Sequence, residues 1–161
     1  MTRVGTGWDL HRLAEGRPLI LGGVRIESPK GCVGHSDGDA LIHAVIDSLL
    51  GACGLEDIGT LFPDTEPKYK DADSSVLLSR VVRLVHEKGY EIGNVDTTVI
   101  LQSPGLGPYR NAVREKMSSV LGIPSDSFGF QAKTAEHILG ELGTADAVMC
   151  QSVCLVFTVN Q

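Results

Sequence analysis

Apolar residues follow two different spacings along this chain, and the two spacings alternate from one end to the other. A spacing of three to four residues, typical of the buried face of a helix, predicts three helices, which begin near residues 41, 75 and 108. Alternating or short continuous apolar runs, typical of strands, predict five extended segments: residues 4–9, 18–26, 90–102, 128–133 and 148–159. The last of these is apolar enough to be central in a sheet or to lie in a subunit interface.

A polar stretch with the sequence Gly-His-Ser-Asp-Gly-Asp precedes the first helix, at residues 34–39. Serine and aspartate side chains accept hydrogen bonds from the free N–H groups of a first helical turn. Ser36 or Asp37 is therefore predicted to cap this helix. Asp39 is expected to add a favourable interaction with the positive end of the helix dipole.

His43 lies about one turn inside the first helix, beside its apolar face. Asp47 follows on the same side, where its carboxylate could hydrogen-bond to the second ring nitrogen, as acids do behind metal-binding histidines. A purely structural histidine is equally compatible with this pattern. Asp9 and His11 form a second candidate pair, because residues i and i+2 of a strand point to one side. Together with His43 they offer three ligands and an open position, as in a catalytic zinc site.

Three later segments also carry candidate chemistry. Residues 57–67 form a polar loop stiffened by two prolines, of the kind that holds hydroxyl-bearing ligands. Residues 103–108 are small and rigid, which suits either close approach by a flat ligand or a plain connection. Residues 133–137 are predicted to begin a short helix that ends at Gly140 or Gly143. A lysine, a hydroxyl and a carboxylate beside free helical N–H groups would bind phosphate and a metal ion.

Composition and charge narrow the classes of protein to which the chain could belong. The chain has 161 residues, of which 42% are hydrophobic and 21% are charged, and it is expected to form one domain over residues 1–161. Its formal charge of −6 argues against a protein that mainly binds nucleic acid or an anionic membrane surface. If the ligand is itself anionic, bound divalent cations would offset this acidity.

The four cysteines form no C-x-x-C pair and lie in apolar surroundings, so they are expected to be core residues or free thiols. The sequence shows no presequence pattern at its N-terminus and no apolar run of the roughly 20 residues that a membrane span needs. A reducing cytoplasm is the expected location.

Several short motifs occur in a fixed order along the chain: Asp9-Leu10-His11, His35-Ser36-Asp37-Gly38-Asp39, His43, Asp57-Ile58-Gly59 and Phe62-Pro63-Asp64-Thr65. With these motifs the chain resembles the 2-C-methyl-D-erythritol 2,4-cyclodiphosphate synthase family, from the first predicted strand to the last. The resemblance implies an α+β fold with a mixed sheet of four to five strands and helices packed on one face. It also implies a homotrimer, with sheets around a central axis and active sites between neighbouring subunits.

The implied reaction converts 4-diphosphocytidyl-2-C-methyl-D-erythritol 2-phosphate to 2-C-methyl-D-erythritol 2,4-cyclodiphosphate and releases CMP, in non-mevalonate isoprenoid precursor synthesis. The 2-phosphate attacks the β-phosphate of the same molecule with the assistance of metal ions. Because this phosphate is already ionised at neutral pH, neither an activated serine or cysteine nor a general base is needed. The remaining tasks are to neutralise charge and to fold the substrate into a ring.

The resemblance also implies two metal sites. Asp9, His11 and His43 would hold one divalent cation, with zinc favoured. Glu136 would hold a second cation, magnesium or manganese, between the substrate phosphates.

Catalytic and substrate-binding positions follow in the same way. His35 and Thr134 match positions credited with stabilising the transition state, and Ser36 lies with them at the phosphates. The positions implied to bind substrate come from both halves of the chain: Asp9, His11, His35, Ser36, Asp57, Ile58, Gly59, Phe62, Asp64, Ser103, Pro104, Gly105, Leu106, Gly107, Ala132, Lys133, Thr134 and Glu136.

Each part of the substrate has its implied partners. Asp64 matches the contact to the erythritol hydroxyls. Asp57 and Gly59 match the contacts to the ribose. The loop 103–107, together with residues 132–133, matches the cytosine pocket.

The chain departs from the commonest bacterial pattern of the family in three places. Gly105 stands where a lysine is usual in the cytosine loop. Residues 131–136, Gln-Ala-Lys-Thr-Ala-Glu, are closer to the plastid-type sequence. Residues 143–146, Gly-Thr-Ala-Asp, replace a Gly-Arg-rich segment whose arginine anchors a prenyl diphosphate in the central channel of some members.

Two other functions are compatible with the residues. Three ligands and an open position also suit a zinc hydrolase of phosphoesters or amides, with Asp37 or Asp39 as the base beside the metal-bound water. A non-catalytic trimer that binds a nucleotide or a metal ion is the other alternative. Only hydrolysis would place solvent oxygen in the product, and CMP binding without turnover would favour the non-catalytic protein.

Overall fold

The structure is a computed structural model that describes residues 1–63, 65–69 and 71–159. In chain order its α-helices and strands are β1 (Thr2–Glu15), β2 (Leu19–Leu21), β3 (Val24–Ile26), β4 (Lys30–Cys32), α1 (Ala40–Cys53), α2 (Ile58–Leu61), α3 (Ser74–Glu87), β5 (Tyr90–Ile100), α4 (Arg110–Leu121), β6 (Phe128–Lys133) and β7 (Ala147–Thr158). The three helices and five extended segments predicted from the apolar spacing all form. None of the helices in the described ranges has the length and apolar character to span a membrane.

Five strands form one mixed sheet in the order β4-β1-β7-β5-β6, and β2 and β3 form a separate hairpin. Neighbours in the sheet are antiparallel except for β5 and β6. Gly22 and Gly23 make the hairpin turn with φ of 62° and 71°, which glycine adopts without steric cost. β7 is central, in agreement with one of the two expectations for it. The predicted α+β class with a mixed sheet is confirmed.

Helix α1 packs closely on the sheet because two glycines of β1 lie beneath it. A Cβ on Gly5 would lie 1.9 Å from the carbonyl oxygen of Ser48, and a Cβ on Gly7 would lie 2.2 Å from that of Ala44. No larger residue fits at either position without moving the helix. This approach brings His43 of α1 next to β1. The four cysteines are buried free thiols, as predicted.

The cap of α1 is Asp39, so the prediction of Ser36 or Asp37 is wrong. The helix begins at Ala40, and the Asp39 carboxylate accepts a hydrogen bond from the N–H of Ile42 at 3.0 Å. The same carboxylate accepts bonds from both N–H groups of the β2–β3 turn, at 2.9 and 2.7 Å. Asp39 therefore joins the hairpin to the start of the helix.

The segment after β6 also differs from its prediction. The helix expected to begin at residues 133–137 does not form, and a 3-10 turn occurs only at Gly140–Leu142. Glu136 and His137 have φ of 51° and 58°, a left-handed backbone that cannot continue a right-handed helix. The expected corner of free helical N–H groups is therefore absent from this part of the described chain.

The predicted loop 57–67 contains a short helix. Asp57 caps α2 by accepting a hydrogen bond from the N–H of Thr60 at 2.8 Å. On α3, Leu77 and Val81 are buried, whereas Val76 is exposed.

The face of the sheet opposite α1 carries large exposed apolar side chains. Successive residues of a strand point to opposite faces, so Gly7 lies under α1 while Trp8 points away from it and is 64% exposed. Other large apolar residues that are exposed on this sheet are Val4 and Leu10 of β1 and Val153 and Phe157 of β7. An apolar patch of this kind is typical of a surface that contacts another protein subunit.

Candidate metal centre and substrate pocket

Three side chains converge where β1 passes beneath α1. Asp9 and His11 project to the same side of β1, and His43 projects from α1. Oδ2 of Asp9 lies 2.7 Å from Nε2 of His11 and 3.0 Å from Nδ1 of His43. The two ring nitrogens are 3.4 Å apart. One ligand atom from each residue lies within 4.8 Å of the others, so the three residues could hold one metal ion, as predicted.

In each histidine, the ring nitrogen that points away from Asp9 has its own hydrogen-bond partner. Nδ1 of His11 lies 2.9 Å from the carbonyl oxygen of Val33, which can only accept a hydrogen bond, so the proton is on Nδ1. Nε2 of His43 lies 3.0 Å from Oγ of Ser74 and 3.2 Å from Oγ of Ser36. The inner nitrogens contact Asp9, and a cation bound between the three residues would replace these contacts while the outer nitrogens keep their protons. This is the arrangement of imidazoles that bind a metal.

Asp47 does not support His43, and that prediction is wrong. Its carboxylate accepts a hydrogen bond from the N–H of Ile58 at 2.8 Å, so it fixes the start of α2 instead. The residue behind His43 is Ser74, at the first position of α3. Sequence spacing could not reveal this contact, because the two residues are 31 positions apart.

The cluster is electrostatically matched to a cation. Burial by itself would raise the pKa of Asp9, but hydrogen bonds and charge from His11 and His43 outweigh it and hold that pKa well below its usual range. Burial opposes protonation of His11, yet its hydrogen bond to Asp9 raises its pKa overall. An ionised carboxylate between two imidazoles attracts positive charge. Two nitrogens and one oxygen with an open side suit a divalent ion such as zinc.

A cavity of 240 Å³ opens beside the cluster. The substrate-binding residues predicted in the first half of the chain that line it are Asp9, His11, His35, Ser36, Ile58, Gly59 and Phe62. Tyr69 and Leu77 also line it and were not predicted. The ring of Tyr69 packs edge-on against Phe62, with centroids 5.4 Å apart. Asp57 caps α2 next to this wall, and Asp64 lies outside the described residues.

The candidates from the second half of the chain lie elsewhere. Hydrogen-bonded strand register places Leu10, Met149, Ile100 and Lys133 in one row across β1, β7, β5 and β6. Three strand spacings of about 4.8 Å put the ends of this row about 14 Å apart. The residues at the far end are Ser103, Pro104, Gly105, Leu106, Gly107, Ala132, Lys133, Thr134 and Glu136, and none of them lines the cavity.

Thr134 and Glu136 nevertheless form a unit of their own. The hydroxyl of Thr134 donates a hydrogen bond to Oε1 of Glu136 at 2.5 Å, and both residues are exposed. A hydroxyl and a carboxylate on an open edge can contact a ligand held by another surface. Strand order places this pair at the end of β6, three strands away from β1 and its Asp9 and His11.

The two aspartates considered as bases of a hydrolase both accept hydrogen bonds from other parts of the structure. Asp37 accepts hydrogen bonds from the hydroxyl and the N–H of Ser74. Asp39 is fully buried and accepts three backbone N–H groups. Burial raises the pKa of Asp39 to about 6, although these N–H groups oppose the shift. Neither carboxylate is available beside the cluster, which disfavours a zinc hydrolase.

Comparison with known proteins agrees with this geometry. Residues 2–157 match the YgbB family. The chain is 53% identical to a 2-C-methyl-D-erythritol 2,4-cyclodiphosphate synthase from Laribacter hongkongensis (strain HLHK9), over 96% of this chain and 94% of that protein. A solved structure of a 2C-methyl-D-erythritol-2,4-cyclodiphosphate synthase in a CDP-bound form matches with a TM-score of 0.89 and 42% identity, over 96% of this chain and 100% of that one.

A longer protein also contains this fold. The structure of the bifunctional IspDF from Campylobacter jejuni matches with a TM-score of 0.94 and 37% identity. The match covers 99% of this chain and 43% of that protein, so the chain spans less than half of the bifunctional relative.

Proposed function

The chain belongs to the YgbB family and is a lyase of the non-mevalonate pathway, and from this premise we propose how its residues act. The substrate is 4-diphosphocytidyl-2-C-methyl-D-erythritol 2-phosphate. An oxygen of its 2-phosphate forms a bond to the β-phosphorus, and the bond from that phosphorus to the bridging oxygen breaks. CMP leaves with the electron pair, and 2-C-methyl-D-erythritol 2,4-cyclodiphosphate remains. The convergence of Asp9, His11 and His43 beside the cavity is the observation that carries this proposal.

The side chains of the protein contribute by binding cations that offset the charge of the substrate phosphates and by positioning the substrate. A divalent cation at Asp9, His11 and His43, for which the donor set favours zinc, would polarise a phosphate oxygen and offset its charge. Glu136 would hold the second ion, magnesium or manganese, near the diphosphate. Because the attacking phosphate is already ionised, no side chain has to remove a proton from it.

Ser36 and His35 act at the wall of the cavity next to the cluster. Oγ of Ser36 lies 3.2 Å from Nε2 of His43 and accepts a hydrogen bond from the N–H of Gly38 at 3.3 Å. Because this oxygen already accepts the N–H of Gly38, its own proton can be donated to a substrate phosphate. His35 lines the same cavity and supplies a further donor to the phosphates, which stabilises charge as it develops.

We further propose that the active enzyme is a homotrimer in which neighbouring subunits complete each site. Two observations support this assembly. Strand β1, which carries Asp9 and His11, and strand β6, which leads to Thr134 and Glu136, are three strand spacings or about 14 Å apart in the sheet of one chain. In addition, the face of the sheet opposite α1 exposes Trp8 and Leu10. Packing three such faces around an axis would bury the apolar patch and set the cluster of one subunit opposite the edge of the next.

In this arrangement the second half of the site recognises the nucleotide. Loop 103–107 and residues 132–133 would enclose the cytosine, and Thr134 would contact the diphosphate. Asp57 and Gly59 would contact the ribose, and Asp64 would contact the erythritol hydroxyls. These roles follow the positions that the residues hold in the family.

Product analysis in ¹⁸O-labelled water tests the reaction. The purified protein, zinc, magnesium and the diphosphocytidyl substrate should yield equal amounts of CMP and a cyclic diphosphate, seen by ³¹P NMR and mass spectrometry. The product should contain no solvent oxygen, because the attacking oxygen comes from the substrate. Solvent oxygen in a ring-opened product would instead identify a hydrolase, and tight CMP binding without turnover would identify a binding protein.

A further inference from the structure

Hydrogen bonds lead from the back of His43 away from the cavity to the first turn of α3. Oγ of Ser74 lies 3.0 Å from Nε2 of His43. The same hydroxyl donates to Oδ1 of Asp37 at 2.5 Å, and the N–H of Ser74 donates to Oδ2 of Asp37 at 3.0 Å. Ser74 has no exposed surface. The cyclisation described above assigns no role to Ser74 or to Asp37.

The direction of these hydrogen bonds is fixed by chemistry. An ionised carboxylate accepts hydrogen bonds and donates none, so the proton of the Ser74 hydroxyl points to Asp37. The oxygen of that hydroxyl then presents a lone pair to His43, and Nε2 must carry the proton of this contact. Nδ1 of His43 is left as the unprotonated nitrogen, 3.0 Å from Oδ2 of Asp9.

We propose that Ser74, oriented by Asp37, is a positioning residue that selects Nδ1 of His43 as the metal-binding atom and holds the ring at its angle. This inference rests on the proposed metal site. Ser36 lies slightly farther from Nε2, at 3.2 Å, and its hydroxyl lines the cavity. Ser74 is buried and closer to Nε2, so it is the hydroxyl that we assign to this nitrogen.

The same segment is tied to the wall of the cavity. The N–H of Asp71 donates to the carbonyl oxygen of His35 at 2.9 Å, and the N–H of Asp37 donates to that of Ala72 at 3.2 Å. The residues just before α3 are therefore hydrogen-bonded to the proposed phosphate-binding stretch. Ser74, at the start of α3, contacts the proposed metal ligand His43. Partners of this kind behind a metal ligand typically change metal affinity about 10- to 100-fold when removed.

Zinc affinity tests the role of Ser74. Metal-free wild type, Ser74→Ala and Ser75→Ala would be titrated with zinc against a chromophoric chelator, after circular dichroism has shown that each is folded. Ser75 is the matched control, because it is also buried in the first turn of α3 and the described contacts of His43 do not include it. We expect about 10- to 100-fold weaker zinc binding for Ser74→Ala and less than twofold change for Ser75→Ala.

The outcomes separate this inference from the function on which it rests. If wild type binds no zinc, the proposed metal site is wrong. If wild type binds zinc tightly and folded Ser74→Ala binds it equally well, only the role of Ser74 is wrong. Restoration of affinity by Ser74→Thr, which keeps the hydroxyl, would support that role.

A second measurement needs no variant. Long-range ¹H–¹⁵N correlation spectra of the zinc-loaded wild type, labelled at histidine, report which ring nitrogen carries the proton. We expect a proton on Nε2 of His43 and metal on Nδ1. The opposite assignment, with the proton on Nδ1, would overturn the proposal even if Ser74→Ala failed to fold.

Discussion

Nδ1 of His43 lies 3.0 Å from Oδ2 of Asp9, although the two residues are 34 positions apart in the chain. The contact exists because α1 lies directly on β1. Gly7 makes that approach possible, since a Cβ there would be 2.2 Å from the carbonyl oxygen of Ala44, the neighbour of His43. The candidate metal centre therefore depends on a residue that is not one of its three side chains.

Replacing Gly7 tests this dependence. Gly7→Ala should force α1 away from β1, lower the free energy of unfolding by about 1–3 kcal/mol and weaken zinc binding, because an overpacked contact must relax by backbone movement. Urea unfolding and zinc titration measure the two effects. Gly51→Ala is the matched control: Gly51 lies in α1 with only one atom, 3.9 Å away, near its would-be Cβ. That change should leave zinc binding intact and raise stability by about 0.5–1 kcal/mol.

Removing one of the proposed metal ligands should abolish both metal binding and the reaction. His43→Ala leaves two ligands, so we expect purified protein without bound zinc and a turnover rate at least about 10²–10³-fold below wild type. Elemental analysis and CMP release measure these quantities. His86→Ala is the control, since His86 is exposed and its ring pairs with Glu91 at 3.3 Å. Wild-type zinc content in His43→Ala would refute its assignment as a ligand.

The apolar face of the sheet predicts how assembly and activity are linked. Trp8→Glu places a charge in the proposed subunit interface, so we expect a monomer by light scattering at micromolar concentration. This monomer should still bind zinc, because all three ligands belong to one chain, but it should release no CMP. Val76→Glu changes another exposed apolar residue, on α3, and should remain a trimer. A fully active Trp8→Glu monomer would contradict the shared site.

Asp39 predicts a specific dependence of stability on pH. Burial raises its pKa in the folded state to about 6, whereas an aspartate in an unfolded chain has a pKa near 3.9. Between these values the folded protein binds more protons, so this group stabilises the fold at low pH and the contribution is lost as pH rises through about 6. Asp39→Asn cannot titrate and lacks this dependence.

Urea unfolding of wild type and Asp39→Asn at several pH values measures the effect. The advantage of wild type over the variant should grow as the pH falls from about 7 to about 4. Asp126→Asn, which changes an exposed aspartate, corrects for the general effect of removing a carboxylate. An advantage that shrinks in acid would mean that the N–H bonds to Asp39 outweigh its burial.

Local patterns in the sequence determined the secondary-structure elements and the candidate metal ligands. The alternation in residues 90–102 and the helical spacing after residue 40 are set by which face each side chain must bury, and both survive in the fold. Asp9 and His11 share one side of a strand for the same reason. His43 follows one turn inside the first helix, and the sequence combines it with this pair as a third ligand, which the family motifs also imply.

Tertiary structure decided what those patterns leave open. Asp39 rather than Ser36 or Asp37 caps α1, because the β2–β3 turn supplies two further N–H groups to its carboxylate. Ser74 rather than Asp47 stands behind His43, because α3 begins beside α1. Both outcomes depend on groups far away in the sequence, whose positions follow only from packing.

The sequence was least informative about how far apart the two sets of candidate residues lie in the sheet. The sequence named two sets of candidate residues, near Asp9 and near Thr134, as parts of one site. Strand order separates these sets by three strand spacings, because β7 inserts between β1 and β5. Side-chain chemistry is encoded residue by residue, whereas the order of strands results from the burial of the whole chain. For that reason the sequence could identify the reacting groups, and only the fold could show that one chain holds them apart.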